Sequence, residues 1–285
     1  MATAAAVKLS PALKALIAAP HARGEALSAP ARQVTTALFD RLRNRGEAGG
    51  VGRETWLSVG SAVLFTVNAP DAVTALYNYA AEGEGVQGKV EVAAIMREIG
   101  LKCISFNGIP KTINNLNFLY DHLSADVQAG LSKEPQRQPH DIAALYKRGL
   151  GLWDGIYEPH SAKLISKLSA SHPDLAVHIL NSHYGPLLSD PAGPALPGAF
   201  KLGRVLTSVV AIAALRAQTG VGPQVTSHVF GLKKALLPGG GGEGSTLQGQ
   251  EWLTSDEGVT WILESVDDAT AVVRDGATRN RAASL

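Results

Sequence analysis

In KLGRVLTSVVAIAALRAQ, residues 201–218, apolar side chains recur at the three- and four-residue spacing of an α-helix. Leu202 and Val205 begin one apolar face, and Ile212 and Leu215 extend the apolar surface around the helix. A helix that is apolar on most sides packs against several neighbours. The sequence therefore predicts that this helix forms the centre of the second half of the chain.

A second strong helix is predicted at residues 90–103, where Val92, Ile99 and Cys103 lie on one apolar stripe. On the opposite face, Glu98 and Lys102 have the i,i+4 spacing of a favourable ion pair. Cys103 is the single cysteine, so an intrachain disulfide, a CxxC pair and a cysteine-based zinc site are excluded. Its position on the stripe favours a small core residue over a reactive thiol, and the cysteine count favours a reducing compartment.

The same helical spacing recurs along the chain, and no segment shows the alternation of a strand. We therefore predict an all-α fold. Prolines suit the first turns of several helices, because the N–H that proline lacks is unpaired there in any residue. Further helices are predicted near residues 33–45, 54–67, 70–81, 110–122, 140–157, 161–170, 173–182, 221–237 and 256–273.

Composition excludes several classes of partner. The 26 basic and 25 acidic residues leave a formal net charge of +1, so no overall field attracts nucleic acid. The longest apolar run, residues 205–215, is shorter than the ~20 residues that a bilayer crossing needs. We expect a soluble, cytoplasmic protein with no membrane partner.

The N-terminal residues 1–23 allow two interpretations. They contain Lys8, Lys14 and Arg23 and no acidic residue, which is the composition of a weak mitochondrial presequence and gives mitochondria as the alternative compartment. They also fit an ordinary first helix with Ser10 as its cap and Pro11 at its first position, and we favour that interpretation.

Two breaks interrupt the helical pattern, at residues 190–198 and 238–249. The second contains four consecutive glycines, which are expected to form a flexible surface loop. A phosphate-binding loop is disfavoured because the Gly-Lys-Ser/Thr ending and a preceding strand are both missing.

An internal duplication is indicated when residues 108–119 are set against residues 221–232, which pairs Pro110 with Pro223 and Asn115 with His228. Each segment follows a long apolar helix and a turn that contains glycine. The predicted organisation is an N-terminal helical extension (1–50), a first helical repeat (51–135), a second helical repeat (136–275) and a disordered tail (276–285).

The chain resembles the alkylhydroperoxidase D/carboxymuconolactone decarboxylase superfamily across most of residues 50–236. The resemblance rests on MREIGLKCISFNGIPKTINNL (96–116), on YGPLLS (184–189), on the start of the 201–218 helix and on the segment from Gly220 to His228. The segments 56–79 and 153–157 are similar to fungal members. The resemblance implies an all-α fold of two tandem helical repeats and a homo-oligomeric assembly.

The residues of peroxidase chemistry are missing from both halves. Where peroxidase members carry a CxxC pair ahead of a histidine, this chain has Val221 and Gln224 ahead of His228. No acid occurs between Lys201 and Gly220 to match the relay glutamate. In the first half, Glu98 could stand for that acid, but Cys103 has no partner and asparagines replace the histidine. An alkylhydroperoxidase-type antioxidant is therefore the least favoured function.

Decarboxylase members also lack the cysteine pair. The resemblance thus implies non-redox acid/base chemistry, a decarboxylation or a lactone isomerisation, on a small carboxylated organic molecule without a metal or cofactor. His228 would donate the proton, Arg204 or Arg216 would hold the carboxylate, and Gln224 would hydrogen-bond a carbonyl.

Each of these residues also has an ordinary structural interpretation. His228 shares a helix face with Val225 and Val229, as a core histidine would. Arg204 could be a solvated charge at a helix start, and Arg216 could favour the helix dipole. If those interpretations hold, the alternative function is a non-catalytic, oligomeric binding or scaffold module.

Two further groups invite a functional interpretation. His172, His178 and His183 have spacings of six and five, which do not place three metal ligands on one helix face, so surface histidines are favoured. Trp153 and Tyr157 could line a pocket, but large rings in an aromatic-poor chain favour packing roles.

Overall fold

The computed structural model describes residues 8–19, 29–137 and 142–283, and every regular element within these ranges is a helix. The prediction of an all-α fold is confirmed. The helices are α1 Pro11–Ile17, α2 Arg32–Ala48, α3 Arg53–Val67, α4 Pro70–Ala80, α5 Val86–Asn107, α6 Ile109–His122, α7 Ala125–Gly130, α8 Ile142–Tyr157, α9 Ser161–Ser171, α10 Pro173–His178, a π-helix Ile179–Leu188, α11 Gly203–Gln218, α12 Gly222–Lys234, α13 Gln250–Leu253 and α14 Asp256–Ala283.

Helix starts follow the local chemistry of the sequence. Proline occupies the first turn of α4, α6, α10 and α12. The backbone N–H of Leu13 donates to the Ser10 hydroxyl at 3.2 Å, so the predicted cap of α1 is confirmed. The remaining parts of the suggested presequence, residues 1–7 and 20–23, lie outside the described residues, as does the predicted start of α8 at residue 140.

The C-terminal prediction is wrong in extent. Helix α14 continues through Ala283 and covers most of the 276–285 segment that was expected to be disordered. That segment contains alanines and arginines, which favour a helix, and no proline to end one.

One hydrophobic core joins the two predicted repeats. Helix α3 packs against α5, α11 and α14, and buried side chains from Leu38 to Val273 form one continuous cluster. Helix α11 lies at its centre, with Val209, Val210 and Ile212 completely buried. The two repeats and their boundaries at residues 50 and 135 stay predictions; side chains from both segments, 51–135 and 136–275, contribute to this core.

The corners α5–α6 and α11–α12 share a local design. Gly108 (φ 79°) ends α5 and Gly220 (φ 73°) follows α11, and both lie in the left-handed region that favours glycine. Each next helix then begins with a proline in its first turn, Pro110 or Pro223. These are the two segments that the sequence comparison pairs.

A second, smaller cluster lies between α8 and the π-helix and contains Trp153, Ile156, Leu180, Tyr184 and Leu188. A Cβ on Gly149 would lie 2.6 Å from the backbone nitrogen of Gly185, and one on Gly185 would lie 2.6 Å from the carbonyl oxygen of Leu145. The two helices therefore need glycine where they touch, and this contact sets the distance between their side chains.

None of the described helices has the length and hydropathy that a membrane crossing requires.

Candidate functional site

His228 lies on the inner face of α12 and is 4% exposed. Its ring meets the rings of Phe106 and Tyr157 edge to face, with both centroid distances at 6.0 Å. The imidazole Nε2 lies 3.4 Å from the Tyr157 hydroxyl oxygen. The candidate catalytic histidine is thus enclosed by aromatic rings and contacts one hydroxyl.

A row of hydrogen-bonding groups continues from His228 into the small cluster. The Tyr157 hydroxyl lies 2.9 Å from the Tyr184 hydroxyl. Trp153 packs on both tyrosines, with ring centroids 4.1 Å from Tyr157 and 5.0 Å from Tyr184. We call Tyr184, Tyr157 and His228 the tyrosine–histidine row.

All three members of the row are electrically neutral near pH 7. Burial lowers the pKa of His228 to about 4, and the positive charge of Arg204 adds to this effect. Burial raises the pKa of Tyr157, although its hydrogen bond with Tyr184 opposes the change. Burial also raises the pKa of Tyr184, and Arg204 acts in the opposite direction. The row can therefore exchange protons between neutral groups, but it holds no imidazolium at neutral pH.

The far side of the imidazole is unsatisfied. When the Tyr157 hydroxyl donates to Nε2, the ring proton lies on Nδ1, and Nδ1 has no hydrogen-bond partner within the described ranges. The neighbouring Trp153 indole nitrogen is also unpaired there. A buried donor without a partner costs about 1–3 kcal/mol. An acceptor oxygen on a small molecule would remove that cost.

Arg204, at the start of α11, binds the surrounding backbone. It donates from Nε to Gly240 O at 2.9 Å, and from Nη2 to Gly231 O at 3.0 Å and Gly155 O at 3.2 Å. Nη1 donates to the Ser208 hydroxyl at 2.5 Å. None of these acceptors is a carboxylate. Burial lowers the pKa of Arg204 to about 10, so its charge is retained at neutral pH.

These contacts revise two expectations from the sequence. Arg204 is not a solvated charge at a helix start, because its hydrogen bonds tie α11 to α8, α12 and the glycine loop. The glycine loop is also ordered by its own bonds: Gly240 N–H donates to Leu237 O at 2.8 Å, and Gly242 N–H donates to Ala235 O at 2.9 Å.

The other two candidate residues lie apart from the row. Gln224 is exposed on α12, one turn before His228. Arg216 forms a two-point ion pair with Asp267 of α14, with nitrogen–oxygen distances of 2.9 and 2.7 Å. The structure therefore brings Arg204 and His228 together and leaves Gln224 and Arg216 outside their contacts.

Cys103 is completely buried, and burial raises the pKa of its thiol. The prediction of a core cysteine is confirmed. A thiol that stays protonated and has no access to solvent is a poor nucleophile.

The three clustered histidines have local contacts of their own. His172 caps α10 by accepting the Asp174 N–H at 3.1 Å, and His183 Nδ1 lies 3.1 Å from the Ser105 hydroxyl. The rings of His178 and His183 meet edge to face. Within the described ranges, no group of three or more His, Cys, Asp or Glu residues is placed to hold a metal ion.

A buried charge network around Lys102 could not be read from the sequence. Lys102 is completely buried and donates to Leu188 O and Asp190 Oδ1 at 2.6 Å and to the Thr207 hydroxyl at 2.8 Å. Glu98 and Lys102, predicted as an i,i+4 ion pair, are both buried and make their direct contacts with other residues, although the charge of Glu98 still raises the pKa of Lys102. Glu98 binds Arg137, with distances of 2.5 and 3.1 Å.

The role of Tyr184 was also missed. It belongs to the YGPLLS segment, but its pairing with Tyr157 depends on the π-helix, which has no simple sequence signal. A π-helix is rare and occurs frequently at functional sites. The single available signal was a tyrosine directly before the Gly-Pro pair at 185 and 186.

Comparison with known proteins gives a distant relationship. The chain is 29% identical over 166 residues to Peroxisomal protein 2 of Saccharomyces cerevisiae, and the aligned part covers 50% of this chain and 54% of the yeast protein. The chain thus spans about half the length of this curated relative. No family model matches the chain. No solved structure matches it.

Proposed function

We propose that the chain is a distant, non-redox relative of the alkylhydroperoxidase D/carboxymuconolactone decarboxylase superfamily that performs acid/base chemistry on a small carboxylated organic molecule. The observation that carries the proposal is the tyrosine–histidine row beside Arg204, with the buried imidazole Nδ1 left without a hydrogen-bond partner among the described residues. Such a constellation of buried, shifted titratable groups is characteristic of functional sites.

In the proposed reaction, the substrate places an acceptor oxygen or a developing carbanion next to His228 Nδ1. For a decarboxylation, the carbon–carbon bond breaks, CO₂ leaves, and the carbanion takes the Nδ1 proton. Tyr157 then gives its hydroxyl proton to Nε2, and Tyr184 gives its proton to Tyr157. The negative charge comes to rest on Tyr184, where Arg204 stabilises it. To restore the row, a solvent proton returns to Nδ1, Nε2 gives its proton back to Tyr157, and Tyr157 gives its proton back to Tyr184.

In the proposed reaction, Arg204 is the cation that stabilises the negative charge. Gln224 and Arg216 are left outside the reaction, because one is exposed and the other is paired with Asp267. Peroxidase chemistry remains the least favoured function, since the Cys103 thiol is buried and has no second cysteine to resolve an oxidised form.

A second candidate is a non-catalytic, homo-oligomeric binding or scaffold module. Helix α6 favours it, because Ile109, Ile113, Phe118 and Tyr120 expose large apolar surface to solvent. Light scattering tests the oligomeric part of this candidate: a monomer mass removes it, and an oligomer mass with no turnover in the catalytic assay supports it.

For the compartment, we propose the cytoplasm, with mitochondria as the alternative. The name of the yeast relative adds the peroxisome as a third possibility. Imaging of a fluorescent fusion of the full chain distinguishes the three.

The catalytic proposal is tested by incubating the protein with a small-molecule extract and following every species by mass spectrometry. The wild-type protein should deplete a carboxylated species, and His228→Gln should not. The matched control is His178→Gln, which removes an exposed imidazole. Equal depletion by all three proteins would exclude His228 from the chemistry.

A further inference from the structure

A cleft of about 190 Å³ lies beside α5, away from the tyrosine–histidine row. Its walls come from α5, from Leu116 of α6 and from Phe200, and its mouth is bordered by the segment around residues 132–137. We propose that this cleft binds a small monocarboxylate with a short apolar chain, and that Arg97 holds the carboxylate.

Arg97 is the observation that points to a ligand. Its side chain is half-buried in the cleft wall, and no hydrogen bond or ion pair joins its guanidinium to any described residue. Burial lowers its pKa, and the phenol of Tyr120 acts in the opposite direction. The guanidinium nitrogens keep contact with solvent, so a carboxylate that enters the cleft can reach them, and its two oxygens match the guanidinium geometry.

The other charges of the cleft restrict the ligand. Arg137 is already bound to both oxygens of Glu98 and to the carbonyl oxygens of Pro186 and Leu187, each at 3.1 Å. Glu134 is exposed at the mouth and repels additional negative charge. One free guanidinium beside a carboxylate favours a singly charged anion over a phosphate.

The remaining walls select the rest of the molecule. Ala94, Leu101, Leu116 and Phe200 are apolar, and the cleft volume of about 190 Å³ is many times the roughly 10–15 Å³ that a single water molecule needs. The cleft therefore admits a molecule larger than water, and its apolar walls match a carboxylate that carries a short carbon chain.

Isothermal titration calorimetry with hexanoate tests the proposal on the full-length protein. Hexanoate should bind, and the neutral isostere hexanamide should bind at least about tenfold more weakly, because it lacks the charge that Arg97 needs. Each methylene removed from the chain should weaken binding about fourfold, as expected for burial of an apolar group.

Arg97→Gln should weaken hexanoate binding about tenfold or more, and Arg97→Lys should weaken it less because the charge is retained. Neither change breaks a contact within the described residues, so the melting temperature should stay close to that of the wild-type protein. The matched control is Arg53→Gln, which removes a guanidinium that is paired with Glu84 and Glu91 outside the cleft.

A third variant separates this site from the proposed catalytic site. His228→Gln should keep the part of hexanoate binding that Arg97→Gln removes, whether or not the catalytic proposal holds. Unchanged binding by Arg97→Gln, or no measurable binding of hexanoate to the wild-type protein, would overturn the proposal. If His228→Gln lost hexanoate binding and Arg97→Gln kept it, hexanoate would bind at the tyrosine–histidine row and the proposal would also be overturned.

Discussion

The burial of His228 predicts a specific loss of stability in acid. The pKa of His228 is about 4 in the folded protein, against 6.5 for an unperturbed histidine. As pH falls, the unfolded chain therefore binds a proton at this position before the folded protein does, and the free energy of unfolding decreases between about pH 6.5 and 4. From these two pKa values, the loss between about pH 7.5 and pH 5 is about 2 kcal/mol.

The assay is urea unfolding at both pH values for the wild-type protein and for His228→Gln. Other titrating groups contribute to both proteins and cancel in the difference. The wild-type protein should lose about 2 kcal/mol more than His228→Gln on acidification. The control His178→Gln, changed at an exposed histidine, should follow the wild-type protein. Parallel pH dependence of the wild-type protein and His228→Gln would show that His228 is not a buried neutral imidazole, and the reasoning would fail.

Three further predictions concern the frame around the site. Gly185→Ala places a Cβ against the Leu145 carbonyl, so it should lower the free energy of unfolding by about 2 kcal/mol in urea titrations; a neutral effect would contradict the close helix contact. Lys102→Met leaves Asp190 without its cation and should lower the free energy of unfolding by about 3 kcal/mol in urea titrations. A decrease below about 1 kcal/mol would show that the network does not stabilise the fold. Cys103→Ser should leave any consumption of hydroperoxide unchanged in a peroxide assay, and loss of such activity would restore thiol chemistry as a function.

The helices were predictable because their signals are local. Apolar spacing located α5 and α11, Ser10 identified a cap, and proline lies in the first turn of five helices, α1, α4, α6, α10 and α12. Errors occurred where a boundary depends on neighbours. Helix α10 changes into a π-helix at residue 179, and the short helices α7 and α13 carry too few residues for a periodic pattern.

The site was only partly predictable, because its chemistry depends on contacts that are distant in sequence. The resemblance identified His228, and Arg204 was named from its place at a helix start. Arg204 donates to the carbonyl oxygens of three glycines that lie on separate segments. The sequence does not show that these segments meet. Gln224 was assigned because it lies one turn from His228 on the same face of α12. That face is buried at His228 but exposed to solvent at Gln224, near the start of the helix.

The pairing of charges shows the same limit. Glu98 and Lys102 have the spacing of an i,i+4 ion pair. In the structure, Glu98 pairs with Arg137 and Lys102 pairs with Asp190. Both partners lie more than thirty residues away in sequence. Spacing along one helix therefore identified the charged residues but could not identify their partners.

Ligand retention tests the role of His228 most directly. The wild-type protein and His228→Gln would be exposed to a small-molecule extract and separated from unbound material, and the retained molecules would be identified by mass spectrometry. We predict that the wild-type protein retains a carboxylated molecule that His228→Gln does not retain. Identical retained molecules in identical amounts would contradict the assignment of the tyrosine–histidine row as a binding and catalytic centre.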